Sequence, residues 1–274
     1  MVNSREIEVV FFFQKGLYLN KQHDYVAAIA SYDAVLKLQP DYPDAWYNRG
    51  NALYRLGRYD EAIASYDQAL EYEPGFAEAW NNRGSALDDL HRYDEAIASY
   101  DKAIKFKPDY CWAWYNRGIA YRNLNQFEAA IDSYDRAIEF KPDYYWAWYN
   151  RALALKQLGK LTQVIASYDK ALEFKPDFEE AWTNRGNALY HLGYLESAIA
   201  SYDRALDLKP DNPNTLYNKA CCYALQGKYE LAFESLQRAV ELNPHEYREI
   251  AKNNSDFDGL RSDRRFVALI NGRA

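Results

Sequence analysis

From residue 9 onward, apolar side chains return in pairs of triplets, and the pattern repeats every 34 residues. Each triplet is spaced four residues and then three, which places its members on one face of an α-helix. In the stretch that begins at Pro43 the triplets are Trp46, Gly50, Leu53 and then Ala62, Tyr66, Ala69. A turn falls between them, marked at the fifteenth position by Gly57, Gly159, Gly193 and Gly227 in four of the units. Position 32 is Pro40, Pro74, Pro108, Pro142, Pro176, Pro210 or Pro244. Proline lacks an N–H and disfavours helix just before it, so it ends the second helix. Each unit therefore predicts a helix–turn–helix hairpin. A lone hairpin cannot bury its apolar face, so successive hairpins must stack.

The register is unbroken. Trp46, Trp80, Trp114, Trp148 and Trp182 hold position 4, with Phe12 and Leu216 at the ends of the series. Tyr32, Tyr66, Tyr100, Tyr134, Tyr168 and Tyr202 hold position 24. Seven units follow: 9–42, 43–76, 77–110, 111–144, 145–178, 179–212 and 213–246. Residues 1–8 are predicted to extend the first helix. Residues 247–274 fall outside the period and carry Tyr247, Ile250, Leu260, Phe266, Leu269 and Ile270 among charged residues, the pattern of one or two helices that cap the stack; a mobile tail that docks on partners is the alternative.

The motif Trp46, Gly50, Leu53, Ala62, Tyr66, Ala69, Pro74 resembles the tetratricopeptide repeat. The resemblance spans residues 9–246 and implies an all-α fold. Its form would be a right-handed superhelical solenoid of antiparallel hairpins, roughly fifteen helices with the cap. Departures are mild: Ala152 and Ala220 replace the Gly of position 8, and Val164 replaces the Ala of position 20. The Tyr- and Asp-rich style resembles that of bacterial members of the family.

Composition narrows the function. Hydrophobic residues make up 49% of the chain, enough for a sizeable core, and the net charge of −7 disfavours binding to a phosphate backbone. The apolar run Val9–Phe13 is too short for a secretory signal and no stretch is long enough to span a membrane, so a cytoplasmic protein is expected. Cys111, Cys221 and Cys222 form neither a disulfide framework nor a metal motif. Acids and bases recur once per unit instead of converging, and no catalytic or phosphate-binding motif appears; neither an enzyme nor a cofactor is expected.

Position 7 carries Arg49, Arg83, Arg117, Arg151 and Arg185, with Lys15 and Lys219 at the ends. It lies about 60° from position 4, on the flank that meets adjacent helices. The expected partners are Asp33, Asp67, Asp101, Asp135, Asp169 and Asp203 at position 25. The one unit without that Asp, carrying Gln237, also has Lys219 instead of Arg.

Position 6 lies about 200° from position 4, the side that in tetratricopeptide proteins lines the concave groove. It is occupied by Asn48, Asn82, Asn116, Asn150, Asn184 and Asn218. An amide matches the donors and acceptors of an extended backbone, and the series resembles the asparagine ladder in the repeats of O-linked N-acetylglucosamine transferase; an Asn common to the repeat that helps its helices pack is the alternative. Trp112 and Trp146 at position 2, with Tyr47, Tyr115 and Tyr149 at position 5, supply candidate aromatic anchors. Packing of each Trp on Tyr110 or Tyr144 is the structural alternative. The expected partner is an extended or short helical segment of another protein. A glycan, or a second copy of the chain giving a homo-oligomer, is the alternative. No unit has Lys or Arg at position 2, 5 or 6, which excludes the carboxylate clamp of co-chaperone members.

Overall fold

The computed structural model describes residues 4–272, which fold into sixteen α-helices and one 3-10 helix with no strand among them. Of the predicted N-terminal extension, residues 4–8 belong to the first helix; residues 1–3 and 273–274 lie outside the described residues. The chain divides into two compact units, Met1–Pro142 and Asp143–Ala274. The first holds four hairpins: α1 (Ser4–Lys21) with α2 (Tyr25–Leu38), α3 (Pro43–Arg55) with α4 (Tyr59–Tyr72), α5 (Ala77–Asp89) with α6 (Tyr93–Phe106), and α7 (Cys111–Asn123) with α8 (Phe127–Phe140). The second holds three: α9 (Tyr145–Gln157) with α10 (Leu161–Phe174), α11 (Glu179–His191) with α12 (Leu195–Leu208), and α13 (Pro213–Leu225) with α14 (Tyr229–Leu242). It ends in α15 (Pro244–Asn253), the 3-10 helix Ser255–Leu260 and α16 (Arg264–Ile270).

Six of the seven hairpins close around the Tyr of position 24, which is fully buried or nearly so. Its ring lies against the helix backbone at position 8, so close that a Cβ on Gly50 would stand 2.6 Å from a ring carbon of Tyr66. That contact explains the Gly of position 8. Two repeats carry Ala there instead: the seventh has Ala220 with the smaller Leu236 in the Tyr place, and the fifth has Ala152 with Tyr168 still fully buried. The turn at position 15 needs a left-handed residue. Gly57 has φ 72°, and three side-chain-bearing residues adopt the same conformation: His23 (62°), His91 (59°) and Asn125 (59°). Nδ1 of His23 lies 2.8 Å from the Tyr25 hydroxyl and Nδ1 of His91 2.7 Å from that of Tyr93, so both histidines serve their turns.

The second helix of each hairpin stops two residues before its Pro, with Glu73 N–H donating to the Ala69 carbonyl at 2.9 Å as one example. The Trp of position 4 then ties that stop to the next repeat. Nε1 of Trp46, Trp80, Trp114 and Trp182 donates to the carbonyl of Pro40, Pro74, Pro108 and Pro176 at 2.8–2.9 Å. These rings are half-buried rather than central.

Five position-7 cations pair with position-25 carboxylates, each with that of the preceding repeat. Arg49 meets Asp33 at 2.7 Å, Arg83 meets Asp67 at 2.6 Å, Arg117 meets Asp101 at 2.7 Å and Arg185 meets Asp169 at 2.6 Å. Lys219 meets Asp203 in the same way at 2.6 Å. The absence of an Asp at Gln237 is therefore no reason for Lys219, whose partner is intact. Each of these Arg also donates to the Ser at position 23 of its own repeat and lies over the Trp at position 4. One guanidinium thus joins two repeats, and charge-assisted bonds of this kind are the stronger ones.

In the seventh repeat Pro244 plays a second part. It opens α15 as its first residue, and the Asn243 side chain accepts from Glu246 N–H. The last helix pair thus begins before the period runs out. Tyr247, Ala251, Phe257, Leu260, Phe266 and Leu269 bury themselves against Leu216, Tyr217 and Leu236 of α13 and α14. The final hairpin is covered instead of meeting solvent.

Candidate interaction surface

The first helices of the hairpins, here called A helices, carry the residues expected to meet a partner. At position 6 the amides are largely engaged within the stack. Asn82 Nδ2 donates to Asn51 Oδ1 (2.8 Å) and the Tyr47 hydroxyl (3.1 Å) of the repeat before it. Asn116 reaches Asn81 Oδ1 at 3.1 Å, Asn184 the Tyr149 hydroxyl at 3.1 Å, and Asn218 Asn187 Oδ1 at 2.9 Å. Asn48 and the buried Asn150 turn back to carbonyls of their own helix, those of Asp44 and Trp146. The reason is geometric: from position 6 a short amide reaches the neighbouring A helix as readily as open solvent.

The aromatic candidates divide by position. Tyr47, Tyr115 and Tyr149 are half-buried and lean on the core Tyr of their own repeats, with centroids 6.1, 5.9 and 5.7 Å from Tyr66, Tyr134 and Tyr168. Tyr47 and Tyr149 also stack on Phe76 and Phe178 at 4.7 Å. Trp112 and Trp146 stay 42% and 39% exposed. In the first unit, Lys141 Nζ lies 5.1 Å over the Trp112 ring. In the second, Trp146 rests on Tyr145 and Phe178 at 5.3 and 5.0 Å. The rings that Trp146 rests on are thus Tyr145 and Phe178, where the packing alternative named Tyr144, and much of the indole remains open.

A recurring pocket lies between consecutive A helices, a feature no single position announces. Positions 9, 12, 13 and 24 of one repeat form it with positions 6 and 9 of the next. Between repeats 2 and 3 these are Asn51, Tyr54, Arg55, Tyr66, Asn82 and Ser85; the cavity there is about 540 Å³ and extends past Tyr47 toward Asn20 and His23. Between repeats 3 and 4 the same frame holds Ser85, Asp88, Asp89, Tyr100, Asn116 and Ile119 around about 140 Å³. Burial, then the neighbouring Asp89, raises the Asp88 carboxyl above its ordinary range. Between repeats 6 and 7, in the second unit, it holds Asn187, Tyr190, His191, Tyr202, Asn218 and Cys221 around about 270 Å³. The hydrogen bonds recur with the frame. Tyr66 and Asn82 both donate to Asn51 Oδ1 at 2.9 and 2.8 Å, as Tyr202 and Asn218 do to Asn187 Oδ1, each at 2.9 Å. The signal was present as Asn at position 9 followed by Tyr at position 12 in both repeats, Asn51/Tyr54 and Asn187/Tyr190.

Among the described residues, no group of three or more His, Cys, Asp or Glu is placed to hold a metal ion, and no helix is long and apolar enough to cross a membrane. The arrangement is one of a helical repeat scaffold, with polar pockets and exposed rings along its A helices. Tetratricopeptide-repeat profiles match residues 13–71, 50–110, 111–144, 133–166, 153–193 and 177–244, and the chain belongs to the tetratricopeptide-repeat family. The family's fold is one of protein–protein interaction scaffolds.

No curated protein sequence matches the chain. Several solved structures are similar in fold. The C-terminal part of a TPR repeat-containing protein from Cytophaga hutchinsonii is 17% identical, covers 88% of this chain and 99% of its own, and gives a TM-score of 0.75. PilW, a widely conserved type IV pilus biogenesis factor, is 25% identical over 76% of this chain and 96% of its own (TM-score 0.65). YrrB, a TPR protein with an unusual peptide-binding site, is 23% identical over 70% of this chain and 100% of its own (TM-score 0.64).

Proposed function

We propose that the protein is an adapter whose A-helix face receives an extended or short helical segment of a partner protein. The observation that carries this reading is the exposure of Trp112 and Trp146, 42% and 39%, where other repeats have Asp44, Glu78, Glu180 and Asn214 at the same position. An indole held half-open beside other rings is the usual chemistry of a binding hot spot. In this reading Tyr47, Tyr115 and Tyr149 form the floor. Asn82 and Asn184 fix the hydroxyls of Tyr47 and Tyr149 by hydrogen bonds, so the position-6 amides orient the surface as much as they touch a ligand.

The test is capture of a partner from an extract of the source cells by wild-type protein and by Trp112→Ala and Trp146→Ala variants, after circular dichroism has shown normal helicity. Loss of a hot-spot Trp weakens capture by about tenfold or more. Unchanged capture by both variants rejects the reading.

A further inference from the structure

Two positions of the A helix are small and buried in every repeat after the first. Position 3 is Ala45, Ala79, Ala113, Ala147, Ala181 or Thr215; position 10 is Ala in five repeats and Cys222 in the seventh. Packing in the first unit gives the reason. Ala45 clusters with Val35 and Leu36 of the repeat before it, Ala79 with Ala69 and Leu70, and Ala52 with Ile29. In the first repeat the same two positions are Phe11 and Tyr18, 59% and 64% exposed, and Ile7 and Val10 beside them are just as open. A further hairpin of the same kind does not fit this face, because two rings stand where close stacking needs a methyl group. Nor is it the polar outer side with which a terminal repeat meets water. The four side chains leave on the order of 500 Å² of apolar surface open, toward the upper end of what a monomer shows in one patch.

The face is built to match itself. At about 100° per residue, Ile7, Phe11, Gln14 and Tyr18 form one stripe along α1, opposite the buried Val9 and Gly16, with Val10 at its edge. Steps of four, three and four residues are those of a coiled-coil seam. The steps are also the same from either end. Laid antiparallel on a second copy, Ile7 meets Tyr18 and Phe11 meets Gln14. Charge on the flank agrees. Glu8 and Lys15 lie on one side of the stripe, both exposed and neither in an ion pair or hydrogen bond. In the antiparallel arrangement Glu8 of each copy comes within about half a turn of Lys15 of the other; in a parallel one, like charges would meet. Lys15 is a position-7 cation, and Arg49 and Lys219 at that position pair with the carboxylate of the preceding repeat. The C-terminal end offers no matching face, since α15, the 3-10 helix and α16 cover α13 and α14.

We propose that α1 is a self-association helix, through which two copies of the chain join about a twofold axis. Ile7, Val10, Phe11 and Tyr18 form the seam, and two Glu8–Lys15 pairs between the copies fix its antiparallel direction. This goes beyond the adapter reading and does not depend on it, because the seam uses neither Trp112 nor Trp146.

Sedimentation equilibrium of the full-length protein, from about 1 µM to about 200 µM, tests the proposal. The average mass is expected to rise from one chain to two and stop there, with a dissociation constant on the order of 10 µM. Phe11→Ser/Tyr18→Ser changes two exposed side chains; it keeps its helicity by circular dichroism and stays monomeric. Glu8→Lys turns two attractions into two repulsions and weakens association by about tenfold. Adding Lys15→Glu to it restores wild-type behaviour. A wild-type protein that is monomeric throughout overturns the proposal, as does a mass that climbs past two chains. So does association unchanged by Phe11→Ser/Tyr18→Ser, or a double charge exchange that fails to restore it. Capture by the Trp112→Ala and Trp146→Ala variants is read separately, so failure here leaves the adapter reading standing.

Discussion

At the scale of single residues, the chemistry of this chain is that of groups held by their neighbours. Cys221 and Cys222 are buried, and burial raises both thiols, Cys222 to about 12 and Cys221 further. A raised pKa leaves little thiolate at neutral pH, and the thiolate is the reactive form. Cys111 is only half-buried. Alkylation of native protein at pH 7.5, followed by peptide mass spectrometry, is expected to modify Cys111 first; equal labelling of all three would contradict the burial. The Arg clip is a second residue-scale test. Arg83 is 21% exposed, spans Asp67 and Ser99 and lies over Trp80. Asp67 is 48% exposed and can be rehydrated. Arg83→Ala is therefore expected to cost about 1 kcal/mol in denaturant titration, more from lost packing and the Ser bond than from charge.

At the scale of elements, the hairpin was legible because its constraints are repetitive and local. Gly at position 8 and Tyr at position 24 are two sides of one contact. Gly84→Ala would set a Cβ 2.6 Å from the Tyr100 ring, and is expected to lower stability by about 1–3 kcal/mol. The same change at exposed Gly57 meets no neighbour and acts only through its φ of 72°. What the sequence did not disclose is connectivity between repeats. Spacing put Arg and Asp on matching flanks, yet only the stacked geometry shows that each pair crosses to the repeat before, so Lys219 received the wrong explanation. Periodicity gives the angular place of position 6 on its helix, but whether an Asn turns toward solvent or toward Asn51, Asn81 or Tyr149 depends on the distance between A helices, which it does not encode. Pro244 obeys the same 34-residue step as its six counterparts and follows α14 at the same distance, but it also begins a helix, because the residues after it are amphipathic. The cap it opens is testable: Phe257 is fully buried, and Phe257→Ala is expected to cost about 3–5 kcal/mol and to loosen the last hairpin first in hydrogen exchange.

At the scale of the whole molecule, the same buried phenol recurs in both compact units, and stability should follow it. Burial raises Tyr32 to about 12 from its ordinary 10.0, and raises Tyr66, Tyr100, Tyr134, Tyr168 and Tyr202 still further. The folded state thus favours the neutral hydroxyl more than the unfolded chain does. The stability this confers is complete below pH about 10 and is lost as pH climbs through the folded-state values. Thermal melts followed by helicity are expected to hold steady up to pH 9.5 and to fall steeply above pH 10.5; a melting temperature that stayed level to pH 12 would contradict the burial of these groups.

The central claim is that the A-helix face, with its pockets and exposed indoles, is where a partner docks. Site-specific photo-crosslinking tests it most directly, with a benzophenone amino acid placed in turn at Trp112, Trp146 and Arg55 on that face and at Glu71, exposed on α4. The account predicts covalent capture of the same partner from the A-helix positions and little from Glu71. Capture from Glu71 with none from the A-helix positions would contradict it.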